Sequence, residues 1–130
     1  MKTTTRWKKG QAFESLQDHN SIQLDGKIEE GFSPKALLLS GLSACSGIDV
    51  ADILQKMKVE FSDLVIDAEA EQTEEHPRVF KEIFLTYQLK TAEENHSKVV
   101  KAIELSLEKY CGVSAMLKKN SPIHYKLVLR

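Results

Sequence analysis

Between residues 64 and 71 the chain alternates with period two. Leu64, Ile66, Ala68 and Ala70 fall on one face and Val65, Asp67, Glu69 and Glu71 on the other, the pattern of a half-buried strand. Residues 79–90 repeat it in part, and the polar stretch 72–78 between them reads as the turn of a long hairpin. Upstream, residues 3–8, 11–15 and 21–24 are short strand-like runs, separated by turn chemistry at Lys9-Gly10, Asp18-His19-Asn20 and Asp25-Gly26. They predict a small meander. Ser33-Pro34 then opens a helix that runs to about Met57, since Ser can cap and Pro suits the first helical position. A second helix is expected over residues 93–109, with Val99, Val100, Ile103, Leu105 and Leu107 as its stripe. Gly112 interrupts it, a short helix follows over 113–119, and Ile123–Leu129 closes the chain as a strand. The order strands, helix, strands, helices, strand predicts an α+β fold.

The first helix is apolar on nearly every face from Ala36 to Ile48, so it must be surrounded by protein. A helix of about 24 residues is roughly 36 Å long, hard for so short a chain to wrap. A second copy is therefore expected to help cover it, giving a homodimer. Ser40, Gly41, Ser43, Ala44 and Gly47 would let another backbone come close. The uncharged run 36–48 is short of the roughly 20 residues that span a bilayer. The charged N-terminus, Met1-Lys2 through Lys8-Lys9, is followed by no apolar stretch resembling a signal peptide. Together these predict a cytoplasmic protein that does not enter a membrane.

With 130 residues, the chain fits a single domain spanning 1–130. Its 42% hydrophobic and 28% charged residues are those of a globular protein, and a net charge of −1 argues against nucleic acid as a partner. Phosphate-cradling, dinucleotide-binding and nucleophile-elbow motifs are absent. His19, His76, His96 and His124 show no metal-ligand spacing and are read as surface residues, so neither a metal nor a cofactor is expected.

Two cysteines remain. Cys45 lies in mid-helix, the setting of a small inert hydrophobe. Cys111 sits just before the short helix, where a helix N-terminus can lower a thiol pKa. If the two met in space they could form a dithiol that opens and closes in a redox cycle, because a thiolate attacks a peroxide oxygen and the sulfenic acid condenses with a second thiol. Their separation in sequence leaves both readings open. Asp49 and Asp52 follow Cys45 on the same side of the helix and would disfavour its thiolate. The basic residues available by type to offset them are Arg6, Lys35, Lys56 and Arg78.

The run Ser33-Pro34-Lys35-Ala36-Leu37-Leu38-Leu39-Ser40-Gly41-Leu42-Ser43-Ala44-Cys45-Ser46-Gly47-Ile48-Asp49-Val50 resembles the signature helix of the OsmC/Ohr family. Glu108-Lys109-Tyr110-Cys111-Gly112-Val113-Ser114-Ala115-Met116-Leu117 resembles that family's second cysteine segment, and the wording around both cysteines is nearest its YhfA-like branch. Trp7 to Phe13 and His76 to Ile83 resemble its opening strands and hairpin return. The resemblance implies an OsmC-like fold, with strands wrapped around long central helices in an intertwined homodimer. It further implies a thiol-dependent peroxidase that reduces organic hydroperoxides, Cys45 being the peroxidatic thiol and Cys111 the resolving one, with a dithiol reductant of lipoyl type restoring the pair. The family's acidic residue after the helix-opening Pro has no counterpart, for Lys35 and Ala36 stand there, and its activating Arg has no clear match. A dimer that binds an apolar ligand without turnover, or a stress-related redox sensor, is the alternative function.

Overall fold

The computed structural model describes residues 1–130 as two compact units, Met1–Leu38 and Leu39–Arg130. In the first unit, β1 (Thr4–Lys9), β2 (Ala12–Gln17) and β3 (Asn20–Asp25) form an antiparallel sheet in that order. The turns sit where the sequence predicts them, with Gly10 and Asp18 at positive φ of 51° and 54°. Register sets Trp7, Phe13 and Leu24 in one cross-strand row, and Arg6, Glu14 and Gln23 in the next. After β3 the loop turns around buried Asp25, whose carboxylate accepts from the backbone N–H of Lys27 at 2.9 Å and of Glu30 at 3.2 Å. These bonds favour the ionised form and hold the Asp25 carboxyl below its ordinary value, against the opposing effect of burial. Gly31 is required here, because a Cβ would collide with the backbone of Gln23.

Helix α1 spans Pro34–Lys56, beginning at the Pro, with Leu37 N–H donating to Ser33 O. In the second unit, β4 (Ser62–Gln72) and β5 (Phe80–Lys90) pair antiparallel. The chain then crosses over through a 3₁₀ turn (Glu93–Asn95), α2 (His96–Leu105), a π turn (Ser106–Tyr110) and α3 (Gly112–Lys118). It returns as β6 (Ile123–Leu129), parallel to β5 on the side away from β4. A parallel pair needs such a crossover. The α+β class follows from this order.

The inner face of β5 presents Ile83, Leu85, Tyr87 and Leu89, all buried, to a core completed by Leu42, Val50 and Leu54 of α1 and by Val99, Ala102 and Ile103 of α2. Gly47 lets α1 approach the sheet. A Cβ at that position would stand 3.1 Å from Ile66 Cδ1 of β4.

Two expectations are corrected. The second helix is not uniformly α-helical but starts as a 3₁₀ turn and ends as a π turn. Gly112 does not interrupt it; the break falls at Cys111, extended at φ −75° and ψ 104°, and Gly112 begins α3. Its own chain covers α1 on one face, Leu42, Ser46, Val50 and Leu54, and leaves Leu38 and Ile48 51% and 63% exposed, the partial cover expected of a helix too long for so short a chain to wrap. By length and composition alone α1, with a mean hydropathy of 1.6 over its most apolar window, could cross a membrane. Its buried face, packed into the core, is that of a core helix.

Candidate functional site: a dithiol anchored by buried hydroxyls

Cys45 projects from the middle of α1 toward the core, and Cys111 sits at the extended residue between the π turn and α3. The fold brings the two thiols into hydrogen-bonding contact, both unoxidised. Cys45 is half-buried and Cys111 buried. Burial pushes the Cys111 thiol above its ordinary value, and the hydrogen bond with Cys45 adds to this. The backbone N–H of Ser114 acts the other way, donating to Cys111 Sγ at 3.3 Å and making the thiol the N-cap of α3. Cys111 N–H donates to Ser106 O at 2.7 Å, the closing bond of the π turn. Turns of this kind recur at functional sites.

Beside the thiols lies a set of hydroxyls that sequence reasoning missed. Tyr87 Oη is 2.6 Å from Ser46 Oγ; Ser106 Oγ is 2.9 Å from Ser46 Oγ and 2.9 Å from Asp49 Oδ2. Ser46, Tyr87 and Ser106 are all fully buried. A carboxylate only accepts, and a hydroxyl carries one hydrogen. Ser106 Oγ donates toward both Ser46 Oγ and Asp49 Oδ2, its one hydrogen shared between the two acceptors, and Tyr87 Oη joins the set through Ser46 Oγ. Burial raises the Tyr87 phenol to about 12 against the opposing hydrogen bond with Ser46, and the neighbouring Cys111 and Asp49 push upward as well, so it stays protonated. Asp49 thus ends a hydroxyl chain beside the dithiol. Asp52, its companion in the sequence, is exposed.

All four histidines are exposed, with His124 stacked on Phe84 at 5.2 Å and bonded to Glu82 at 3.3 Å on the outer face of the sheet. No group of three or more His, Cys, Asp or Glu side chains is arranged to hold a metal ion. In the first unit a recess of about 510 Å³ is lined by Thr5, Phe13, Leu24, Asp25 and Pro34 among others, with no cysteine or histidine in its wall.

A model of the family described as OsmC-like protein matches residues 24–126, which includes both cysteine segments. The chain belongs to the OsmC family. Protein YhfA of Escherichia coli strain K12 is 33% identical to this OsmC chain over 121 residues, covering 92% of it and 90% of YhfA. A hypothetical protein from Aquifex aeolicus superposes with a TM-score of 0.84 at 30% identity, over 99% of this chain and 96% of that one. The organic hydroperoxide resistance protein OhrB of Bacillus subtilis shares the fold, with a TM-score of 0.66 at 18% identity over 98% and 96% of the two chains. The OsmC-like fold expected from the two cysteine segments is the fold observed.

Proposed function

We propose that this OsmC chain is a cytoplasmic thiol peroxidase for organic hydroperoxides, acting as a single 1–130 domain within a homodimer. The observation that carries the reading is the contact between Cys45 and Cys111, two thiols far apart in sequence that meet beneath one helix face. Cys45 is assigned as the attacking thiol because it is the more exposed of the two. Its thiolate attacks the distal peroxide oxygen, the O–O bond breaks, and the alkoxide takes up a proton to leave as alcohol. The resulting Cys45 sulfenic acid then meets the Cys111 sulfur; the S–S bond forms, the S–O bond breaks, and the departing hydroxide takes the Cys111 proton to become water. A dithiol reductant, lipoyl-like as in the family resemblance, reopens the disulfide by two exchanges. A named organic hydroperoxide resistance protein among the structural neighbours supports the substrate class.

Consumption of cumene hydroperoxide with a dithiol reductant tests this, run beside Cys45→Ser and Cys111→Ser. Turnover by the unaltered chain, its loss in Cys45→Ser, and a single unrepeated oxidation in Cys111→Ser are the expected results. Absent turnover in the unaltered chain, or multiple turnover in Cys45→Ser, refutes the reading.

A further inference from the structure

Ser106 touches both halves of the dithiol site at once. Its carbonyl accepts from Cys111 N–H at 2.7 Å. Its hydroxyl lies 2.9 Å from Ser46 Oγ, next in sequence to Cys45, and 2.9 Å from Asp49 Oδ2 one helical turn further on. The other hydroxyl beside Cys111 does not reach across: Ser114 Oγ donates only to Leu107 O and Cys111 O, on its own segment. The π turn makes this geometry available, because Ser106 is its first residue and its carbonyl takes the i+5 bond from Cys111.

We propose that Ser106 is a positioning residue, whose hydroxyl and carbonyl together hold the Cys45-bearing turn of α1 and Cys111 at the separation from which their disulfide closes. The inference rests on the Cys45/Cys111 dithiol reading above. Without the hydroxyl, Ser46 Oγ keeps only Tyr87 and Asp49 loses this donor, so α1 and the π turn are free to drift apart. The effective concentration of one thiol at the other then falls.

The test is the equilibrium with glutathione, which needs no hydroperoxide. Protein dithiol and one glutathione disulfide give protein disulfide and two glutathione, each thiol proton passing to a departing glutathione thiolate. The disulfide fraction is read by mass after alkylation across a series of glutathione ratios. Ser106→Ala is expected to lower the equilibrium constant for closing about tenfold, a rise in reduction potential of about 30 mV. Ser106→Thr, which keeps a hydroxyl, is expected to recover most of the loss. Ser121→Ala controls for loss of a buried hydroxyl elsewhere, since Ser121 Oγ donates to Phe80 O at 2.7 Å away from the thiols; it is expected to leave the constant unchanged. If Ser106→Ala does not fold, Ser46→Ala breaks the same tie from the other side and is expected to shift the constant in the same direction. A Ser106→Ala or Ser46→Ala protein with the unaltered constant overturns the proposal, as does a Ser121→Ala shift of equal size. A chain that forms the disulfide with glutathione yet consumes no hydroperoxide refutes the peroxidase reading alone, and the same titration still decides the role of Ser106.

Discussion

Tyr87 carries a cost and a benefit that pH can separate. Its phenol is buried and hydrogen-bonded, with ionisation raised from 10.0 to about 12. Above 10.0 the unfolded chain gives up a proton that the folded chain keeps, so the contribution of Tyr87 is intact below that pH and drains away as pH rises toward 12. Denaturant unfolding is expected to show the unaltered chain losing roughly 2–3 kcal/mol more than Tyr87→Phe across this window, while at neutral pH the variant is weaker by about 1 kcal/mol for its lost hydrogen bond. A parallel alkaline decline in both proteins would contradict the assignment. None of this was visible in the sequence, and the reason is general. A metal or phosphate site leaves a spacing motif because one ligand dictates the geometry of all its donors. Ser46, Tyr87 and Ser106 are joined only by the packing of three separate elements, and serines read one at a time look the same in a core, a cap or a turn. The cysteines were legible one by one from their settings, and as a pair only through the family resemblance of the two segments that carry them.

Elements were easier to read than their ends and irregularities. Period-two alternation in β4 and the Ser33-Pro34 opening of α1 located both, because each pattern is enforced locally by one buried face or one fixed φ. The π turn was hidden. It inserts a residue without altering the apolar stripe enough to register, and its sequence, Ser106-Leu107-Glu108-Lys109-Tyr110, is an ordinary helical one. Close approach of α1 to β4 depends instead on one small residue. The space at Gly47 ends at Ile66 Cδ1, a flexible side-chain tip that can yield to a methyl group but not to a branched side chain. Gly47→Ala is therefore expected to stay within about 1 kcal/mol of the parent, helix propensity offsetting the mild crowding, whereas Gly47→Leu should cost about 1–3 kcal/mol through overpacking. Urea midpoints of the two variants would show it; equal stability would mean the helix and sheet are looser than described.

At the scale of the molecule, α1 leaves Gly41, Ala44 and Ile48 uncovered on the face opposite its buried residues, an apolar strip with close backbone access. Small residues in such a strip favour helix-to-helix packing at short distance, which is how a second copy is expected to meet this one. Light scattering in solution should give about twice the chain mass of 14.7 kDa, and Ile48→Glu should reduce it to a single chain with helical circular dichroism retained. A dimer that survives this substitution would move the interface elsewhere. The crossover from β5 to β6 carries a different consequence, for the life history of the thiols. Cys111 reaches Cys45 only by way of α2 and the π turn, so a growing chain that has already made α1 holds a solitary thiol with no internal partner. Until the crossover is laid down and folded, that sulfur behaves as any exposed thiol would, open to mixed disulfides with whatever the cell supplies. Completing the last third of the chain is what turns a liability into a pair.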